Sequence, residues 1–276
     1  MRAIPDSLDA NVVLEIDRRI AGIETEHRVV IPWAIESGSR AWGFPSPDSD
    51  YDCRFFYVRA RSDYLSLWPA SDVIDTPLDK IFDVNGWDLA KAIRLLVNGN
   101  AVVAEWLQSD IVYSGDAQFR KEFLDLAHEI TDRGRVGRHY EHVASQHLER
   151  ATLPSGANRL KRLFYALRPA AAVRWLRVHP DSAVPPMSLT ALVRESDAPS
   201  DVIDATDELI ELKSRLRESQ SMDAPDILRR FVESEIAAAG SAFDHPERIS
   251  IAEARARAQQ FFHQTVSRLE AQPADR

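Results

Sequence analysis

The spacing of apolar residues changes once along this chain, and that change constrains the fold more than any other feature. Before Asn85, apolar residues fall mainly in short runs such as Val29–Ile35 and Tyr51–Val58, which predict strands. From Asn85 onward they recur every three or four residues, which predicts helices, and no convincing strand appears after about Tyr113. Strands followed by helices predict an α+β domain at residues 1–113 and an all-helical domain at residues 114–276.

Within this division the individual elements are predicted from periodicity and from turn residues. An amphipathic helix comes first, at about Ser7–Glu24, and a short helical piece covers about Ser62–Trp68. The runs Val73–Asp75 and Leu78–Val84, separated by Thr76 and Pro77, are expected to pair as a hairpin. Helices begin after Asn85, and the later ones are predicted near 117–131, 135–152, 157–179, 202–219, 225–239 and 249–270.

Charge limits the classes of partner. The chain has 276 residues and a formal net charge of −9. Binding to a phosphate backbone depends on clustered Lys and Arg that release counterions, so the surface as a whole is unsuited to it. A nucleic-acid partner must therefore contact a local basic patch.

The chain has no sequence signal for a membrane. No apolar run approaches the ~20 residues that span a bilayer, and the first residues, MRAIPDSLDANVVLEIDRRI, are mixed and charged, unlike a signal peptide. We therefore expect a cytoplasmic protein with no membrane partner.

An acidic pair opens the strand at Tyr51. Asp50 and Asp52 are two residues apart, so strand alternation places both side chains on one face. Two carboxylates this close repel each other unless a cation lies between them, and oxygen ligands suit a hard ion such as Mg²⁺. The alternative is that Asp48 and Asp50 only cap a turn, because Pro, Asp and Ser cluster in loops for local hydrogen bonding.

A glycine-containing segment precedes this pair. Gly38, Ser39 and Arg40 directly follow the first strand, where a glycine lets backbone N–H groups and a small hydroxyl approach a triphosphate. Arg40 could steady either the phosphates or the loop itself. Trp42 could wall a nucleotide pocket or anchor the loop by burial, and for Phe44 we favour the structural role.

A third carboxylate would complete a metal-binding triad. Asp83 lies between Phe82 and Val84, so it could point from a neighbouring strand toward Asp50 and Asp52, although Asp79 and Asp88 remain alternatives. Two ions held by such a triad would lower the pKa of an attacking hydroxyl and neutralise charge on a leaving pyrophosphate.

The order of these features resembles a known signature. A strand, a GS pair, a loop, a DxD strand and a later lone carboxylate resemble the DNA polymerase β superfamily of nucleotidyltransferases. The segments ESGSRAWGFPSPDSDYDCRFFYV, DVNGWDLAKAIRLLVNGNAVVAEWLQSDIVY, NRLKRLFYALRPAAAVRWL and VPPM look like the predicted bacterial and phage nucleotidyltransferases linked to RNA repair pathways. The resemblance covers roughly residues 30–190.

The resemblance carries implications for fold and site. It implies a polymerase β-like palm, a short mixed sheet with flanking helices, followed by the all-helical domain. It also implies an NTP substrate and Mg²⁺ or Mn²⁺ as cofactor, and it leaves the acceptor open. The residues at matching catalytic positions are Gly38, Ser39, Asp50, Asp52 and Asp83.

A basic face is predicted on a later helix. Lys161, Tyr165 and Arg168 follow an i, i+4, i+7 pattern, which offers two cations and an aromatic ring to a triphosphate and a base. The alternative is a solvated or salt-bridged face. Arg162 and Arg174 are weaker candidates. The segment LKRLFYALRPAAA departs from the family pattern, which has a second Lys and a bulkier apolar tail, and this departure mainly concerns packing.

Three functional hypotheses follow. The first is a metal-dependent nucleotidyltransferase that moves a nucleoside monophosphate from an NTP to a hydroxyl of RNA or another nucleic acid and releases pyrophosphate, with RNA ligase or other repair proteins as partners. The second keeps this chemistry with a protein or small-molecule acceptor, as in antitoxin-like or antibiotic-modifying relatives, and the acidic surface slightly favours it. The third is a nucleotide-binding module without catalysis, which the presence of all three aspartates disfavours. The apolar stripes of the last helices would allow an oligomer.

Overall fold

Five strands between residues 30 and 115 form one mixed sheet. The computed structural model describes residues 1–77, 79, 81–152, 159–217, 225–243 and 249–270, apart from the side chains of residues 152 and 159. The strands are β1 Val30–Glu36, β2 Tyr51–Val58, β3 Val73–Asp75, β4 Phe82–Asp88 and β5 Val112–Gly115. They lie in the order β3-β4-β2-β1-β5, with β2 and β4 parallel and the other neighbours antiparallel.

Helices flank this sheet and make up most of the second half. Twelve helices occur in the described ranges: α1 Ala10–His27, α2 Gly38–Ala41, α3 Arg61–Tyr64, α4 Leu89–Val97, α5 Val102–Gln108, α6 Ala117–Ile130, α7 Arg133–Thr152, α8 Arg159–Val178, α9 Leu189–Glu195, α10 Ser200–Arg215, α11 Asp226–Ala242 and α12 Ile251–Glu270. The predicted α+β class is confirmed.

Most predicted elements are present, and the differences have simple causes. The expected hairpin exists, with β3 antiparallel to β4, but β4 runs on to Asp88 because its pairing with β2 and β3 continues past Val84. Strand β5 was not expected after Tyr113, because four residues carry little periodicity and the strand is defined by pairing with β1 and, at Val112, with Ala3. The short helices α2 and α9 were also missed. Leu78 and the predicted helix ends at 157–158 and 218–219 lie outside the described residues.

The two faces of the sheet have separate apolar cores. On one face α1 contributes Ile16 and Ile20 against Phe55, Tyr57 and Val84. The other face is covered by α4, α5, α6 and α12, and its buried residues include Trp33, Phe56, Phe123 and Phe261.

The core on one face of the sheet includes residues from both sides of the predicted boundary at residue 113. Phe123 of α6 and Phe261 of α12 stack at 4.9 Å within the core of the sheet, although both helices follow residue 113. The division into 1–113 and 114–276 stays a prediction about folding units, and the packing does not follow it.

A third core is built around α8 and holds the loop after β1. Phe164 and Leu167 of α8 are fully buried among residues of α7, α9, α10 and α11. Phe44 stacks on Phe164 with ring centroids 4.6 Å apart, as expected of a structural anchor. The Nζ of Lys213 in α10 donates to the Phe44 carbonyl at 2.6 Å. The loop that follows Gly38 is therefore fixed by the helical region.

Among the described residues, every helix is too short or too polar to cross a membrane.

Two glycines give contrasting stability predictions. A Cβ on Gly86 of β4 would lie 2.1 Å from the fully buried ring of Phe55. We expect Gly86→Ala to lower the free energy of unfolding by about 1–3 kcal/mol, because the ring has no free space to move into. A Cβ on Gly22, in the middle of α1, would stay more than 4 Å from every neighbouring segment in the described part of the chain. Gly22→Ala should therefore raise stability by about 0.5–1 kcal/mol. Urea unfolding of both variants tests the pair, and equal effects would contradict this packing.

Candidate active site

The turn after β1 lies directly against an aspartate of β2. Gly38 has a φ of +58°, which favours glycine, and a Cβ there would be 1.9 Å from Oδ2 of Asp52. The N–H of Ser37 donates to the Asp52 carbonyl at 2.8 Å. Any larger residue at position 38 would displace the Asp52 carboxylate, which explains the glycine in the GSR segment.

Asp52 and Asp83 face each other across two parallel strands. They are register partners in the β2–β4 pairing. One nitrogen of Arg54, Nη2, donates to Oδ1 of Asp52 at 3.0 Å and to Oδ2 of Asp83 at 2.6 Å. Asn85 donates to the other oxygen of Asp83 at 3.2 Å. The sheet therefore brings two of the predicted metal-binding carboxylates together.

The other candidates for a third carboxylate lie elsewhere. Asp79 pairs with Arg19 of α1 at 2.7 Å. Asp88 is at the far end of β4, where it is buried and caps α4 by accepting from the Ala90 N–H at 2.8 Å. Of the three candidates, only Asp83 lies beside Asp52.

Asp50 lies at the exposed edge of this site. Burial raises the pKa of Asp52, the Arg54 charge opposes that shift, and the charges of Asp83 and Asp50 add to it. Asp50 is therefore close enough to act on Asp52 electrostatically. In the described part of the chain, no three Asp, Glu, His or Cys side chains converge into a ready-made metal site. The pair Asp52 and Asp83, with Asp50 nearby, suits a hard cation in its donor chemistry.

Ser39 and Arg40 hold the turn that leads into β2. The Nε of Arg40 donates to the Asp50 carbonyl at 3.1 Å, its Nη2 donates to the Ser49 carbonyl at 2.6 Å, and its guanidinium lies 3.9 Å from the ring centroid of Tyr51. The Ser39 hydroxyl donates to the Ser49 hydroxyl at 3.1 Å. Of the two roles considered for Arg40, the structure shows the one in the loop. A phosphate contact from either side chain stays a prediction.

Two members of the predicted basic face lie toward the acidic site. The positive charge of Lys161 lowers the pKa of Asp52, so this ammonium is within electrostatic reach of the carboxylates. Tyr165, one turn later on α8, contacts the ring of Trp42 edge-on at 5.3 Å. Both rings are half-buried. Tyr165 therefore packs against Trp42, which ends the short helix α2 that begins at Gly38, and Lys161 lies one turn earlier on α8.

Arg168 is not on an open face, which corrects the expectation for this helix. It is only 5% exposed, pairs with the buried Glu105 at 2.9 Å, and donates from Nε to the Met187 carbonyl at 2.8 Å. The Arg168 side chain, seven residues after Lys161, points into the packing between α8 and α5, where a buried carboxylate needs a cation. In this arrangement Arg168 has a structural role, and its guanidinium lies 4.7 Å from the centroid of the Trp42 ring. Arg174 is likewise paired, with Glu235 at 2.9 Å.

Glu36 and Arg54 are parts of the site that sequence analysis missed. Glu36 is fully buried, accepts the Asp52 N–H at 3.0 Å and accepts the Tyr113 hydroxyl at 2.6 Å. Burial raises its pKa to about 7, although both hydrogen bonds oppose the shift. The available signal was an ionisable residue beside apolar strand residues, at Glu36 in β1 and at Arg54 in β2.

The family of the chain is shown by comparison with known proteins. Residues 13–264 match the RNA repair pathway DNA polymerase beta family, RlaP, so the chain belongs to that family. A relative from Bacillus subtilis (strain 168), the uncharacterized protein YcgL, is 37% identical over 214 residues, which is 78% of this chain and 81% of the relative.

A solved structure shows a weaker likeness. The crystal structure of a nucleotidyltransferase-like protein from Exiguobacterium sibiricum 255-15 is 11% identical, covers 91% of this chain and 79% of its own, and superposes with a TM-score of 0.30. This likeness is too slight to support a functional argument.

Glu36 generates a pH prediction. Its folded pKa of about 7 lies above the ordinary 4.5, so the folded state binds more protons between these values and the free energy of unfolding falls as pH rises through that window. Glu36→Gln keeps the shape and removes the titration. We expect the loss of stability between pH 5 and pH 8 to be smaller in the variant by about 3 kcal/mol. Urea unfolding of both proteins at the two pH values measures this, and parallel pH profiles would contradict it.

Proposed function

We propose that this protein is a metal-dependent nucleotidyltransferase that transfers a nucleoside monophosphate from an NTP to a hydroxyl acceptor, with RNA as the preferred acceptor. Membership of the polymerase β family supports nucleotidyl transfer. The observation that carries the proposal is the meeting of Asp52 and Asp83 across β2 and β4, under a glycine turn and within reach of the Lys161 charge.

The proposed roles follow from position and chemistry. Asp50, Asp52 and Asp83 would hold Mg²⁺ or Mn²⁺, which when bound supplies Lewis-acid stabilisation of phosphoryl oxygens. The backbone at Gly38 allows close approach of the triphosphate, and Lys161 contributes a positive charge toward it. The reaction forms a bond between the acceptor oxygen and the α-phosphorus of the NTP. The bond from the α-phosphorus to the oxygen that bridges it to the β-phosphate breaks, and pyrophosphate and a proton are released.

The family description names an RNA repair pathway, which supports RNA as acceptor and repair proteins as partners. An RNA ligase is the partner that we propose. A net charge of −9 means that RNA would have to contact a local basic patch. The same charge favours the second candidate, in which the acceptor is a protein or a small molecule. Label transfer separates the two.

The first test is transfer of label. Purified protein is incubated with Mg²⁺ and each α-³²P-labelled NTP, with total RNA, tRNA or protein as acceptor. We expect label on RNA, and we expect Asp50→Ala/Asp52→Ala to reduce it by at least about 10²-fold, because charge stabilisation at the phosphoryl group is lost. Asp125→Asn is the control, since Asp125 is an exposed carboxylate paired with Lys121 on α6.

Each outcome bears on the proposal. Label on protein that the double variant loses would promote the second candidate. Transfer that survives in the double variant would refute the assignment of Asp50 and Asp52. NTP binding without transfer to any of these acceptors would favour a binding module.

The second test concerns α8. Lys161→Ala should weaken NTP binding by at least roughly tenfold, because a charge-assisted contact contributes about 1.5–3 kcal/mol. Lys121→Ala, which removes an exposed lysine on α6, should leave NTP binding unchanged. Titration calorimetry with a non-hydrolysable NTP analogue measures both, and equal affinities for the two variants would remove Lys161 from the proposed site.

A further inference from the structure

The Arg54 guanidinium lies between Asp52 and Asp83, two of the carboxylates that would bind the metal ion in the proposed function. The Arg54 Nη2 is 3.0 Å from Asp52 Oδ1 and 2.6 Å from Asp83 Oδ2, and its Nη1 donates to the Asp83 carbonyl at 2.7 Å. The Arg54 side chain is only 14% exposed. Part of the oxygen lone-pair capacity of both carboxylates is thus already occupied by an internal cation.

The strand fixes this arrangement. Asp52, Arg54 and Phe56 are successive residues on one face of β2, and Phe56 is fully buried in the core under α4 and α6. Arg54 therefore lies between the acidic edge and the apolar core. Its register partner in β4 is Asn85, which holds Asp83 from the other side. The contacts to both carboxylates follow from the register of the two strands.

The charge balance of the site follows from these contacts. Three carboxylates carry three negative charges, and Arg54 offsets one of them at hydrogen-bond distance. At the separations typical of such a site, a unit charge changes the affinity for a divalent cation by a large factor even at the effective dielectric of a protein surface. A free cation therefore meets a weaker site than the three aspartates alone would form.

We propose that Arg54 is a positioning residue that serves as the resident counter-cation of the site. It holds Asp52 and Asp83 together in the absence of metal, and it lowers the affinity for a free divalent cation. The negative charges of a bound triphosphate offset the positive charge of Arg54. Tight binding of the cation is therefore coupled to binding of the NTP. This inference rests on the metal site of the proposed function.

The experiment is a Mn²⁺ titration followed by electron paramagnetic resonance, together with thermal unfolding of the full chain with and without Mn²⁺. We expect Arg54→Gln to unfold at a lower temperature than the wild type without Mn²⁺, because the two carboxylates lose their shared cation. We expect it to bind Mn²⁺ alone at least about tenfold more tightly than the wild type. An α,β-methylene ATP analogue should tighten Mn²⁺ binding less in the variant than in the wild type.

Two further variants separate the effect of Arg54 on Mn²⁺ binding from an effect on folding alone. Arg54→Lys retains the charge but loses the forked contacts of the guanidinium. It should bind Mn²⁺ roughly threefold more tightly than the wild type, because a lysine ammonium cannot reproduce the guanidinium contacts with both carboxylates. This variant provides the measurement if Arg54→Gln does not fold. Arg59→Gln is the matched control, since Arg59 follows β2 at its opposite end and pairs with the buried Asp88 at 3.9 Å. It should lower the unfolding temperature and leave Mn²⁺ binding unchanged.

The outcomes separate this inference from the proposed function. Mn²⁺ binding by the wild type that is unchanged or weaker in both Arg54 variants would overturn the role of Arg54 and leave the metal site standing. No Mn²⁺ binding by the wild type, with or without the ATP analogue, would overturn both. Tighter Mn²⁺ binding in the Arg54 variants but not in Arg59→Gln supports the inference.

Discussion

The in-register parallel pairing of β2 with β4 is the constraint on which the site depends. It places Asp52 opposite Asp83 and Arg54 opposite Asn85 through a ladder of backbone hydrogen bonds. A slip of one residue would turn Asp83 to the other face of the sheet, because side chains alternate along a strand. Apolar residues of β2 and β4 pack on both faces of the sheet and prevent that slip. The geometry of the acidic cluster is therefore a consequence of core packing.

The electrostatics of this region reflect the cost of placing carboxylates near an apolar core. The positive charge of Arg54 offsets the negative charge of Asp52, and burial raises the pKa of the neighbouring Glu36 to about 7. A similar pairing recurs in the helical region, where Glu105 is buried against Arg168. Each of these carboxylates has a neighbouring group that compensates its burial, and Asp52 in addition lies against the Gly38 turn.

The site depends on both halves of the chain. The loop after Gly38 is anchored by Phe44 on Phe164 of α8 and by the hydrogen bond from Lys213 of α10. The same helix α8 carries Lys161, whose charge acts on Asp52. Packing of α8 against this loop thus sets how far Lys161 and Tyr165 lie from the acidic cluster. A ligand between them would contact the sheet and the helical region together.

The sequence by itself determined the elements whose cause is local. The bounds of β2 and the α+β class follow from the alternation of apolar residues in strands and their recurrence every three or four residues in helices. Only the tertiary structure chose Asp83 over Asp79 and Asp88, because strand register is set by packing between distant segments. It also turned Arg168 inward and placed Arg54 between two carboxylates, since the partner of a buried charge comes from elsewhere in the chain.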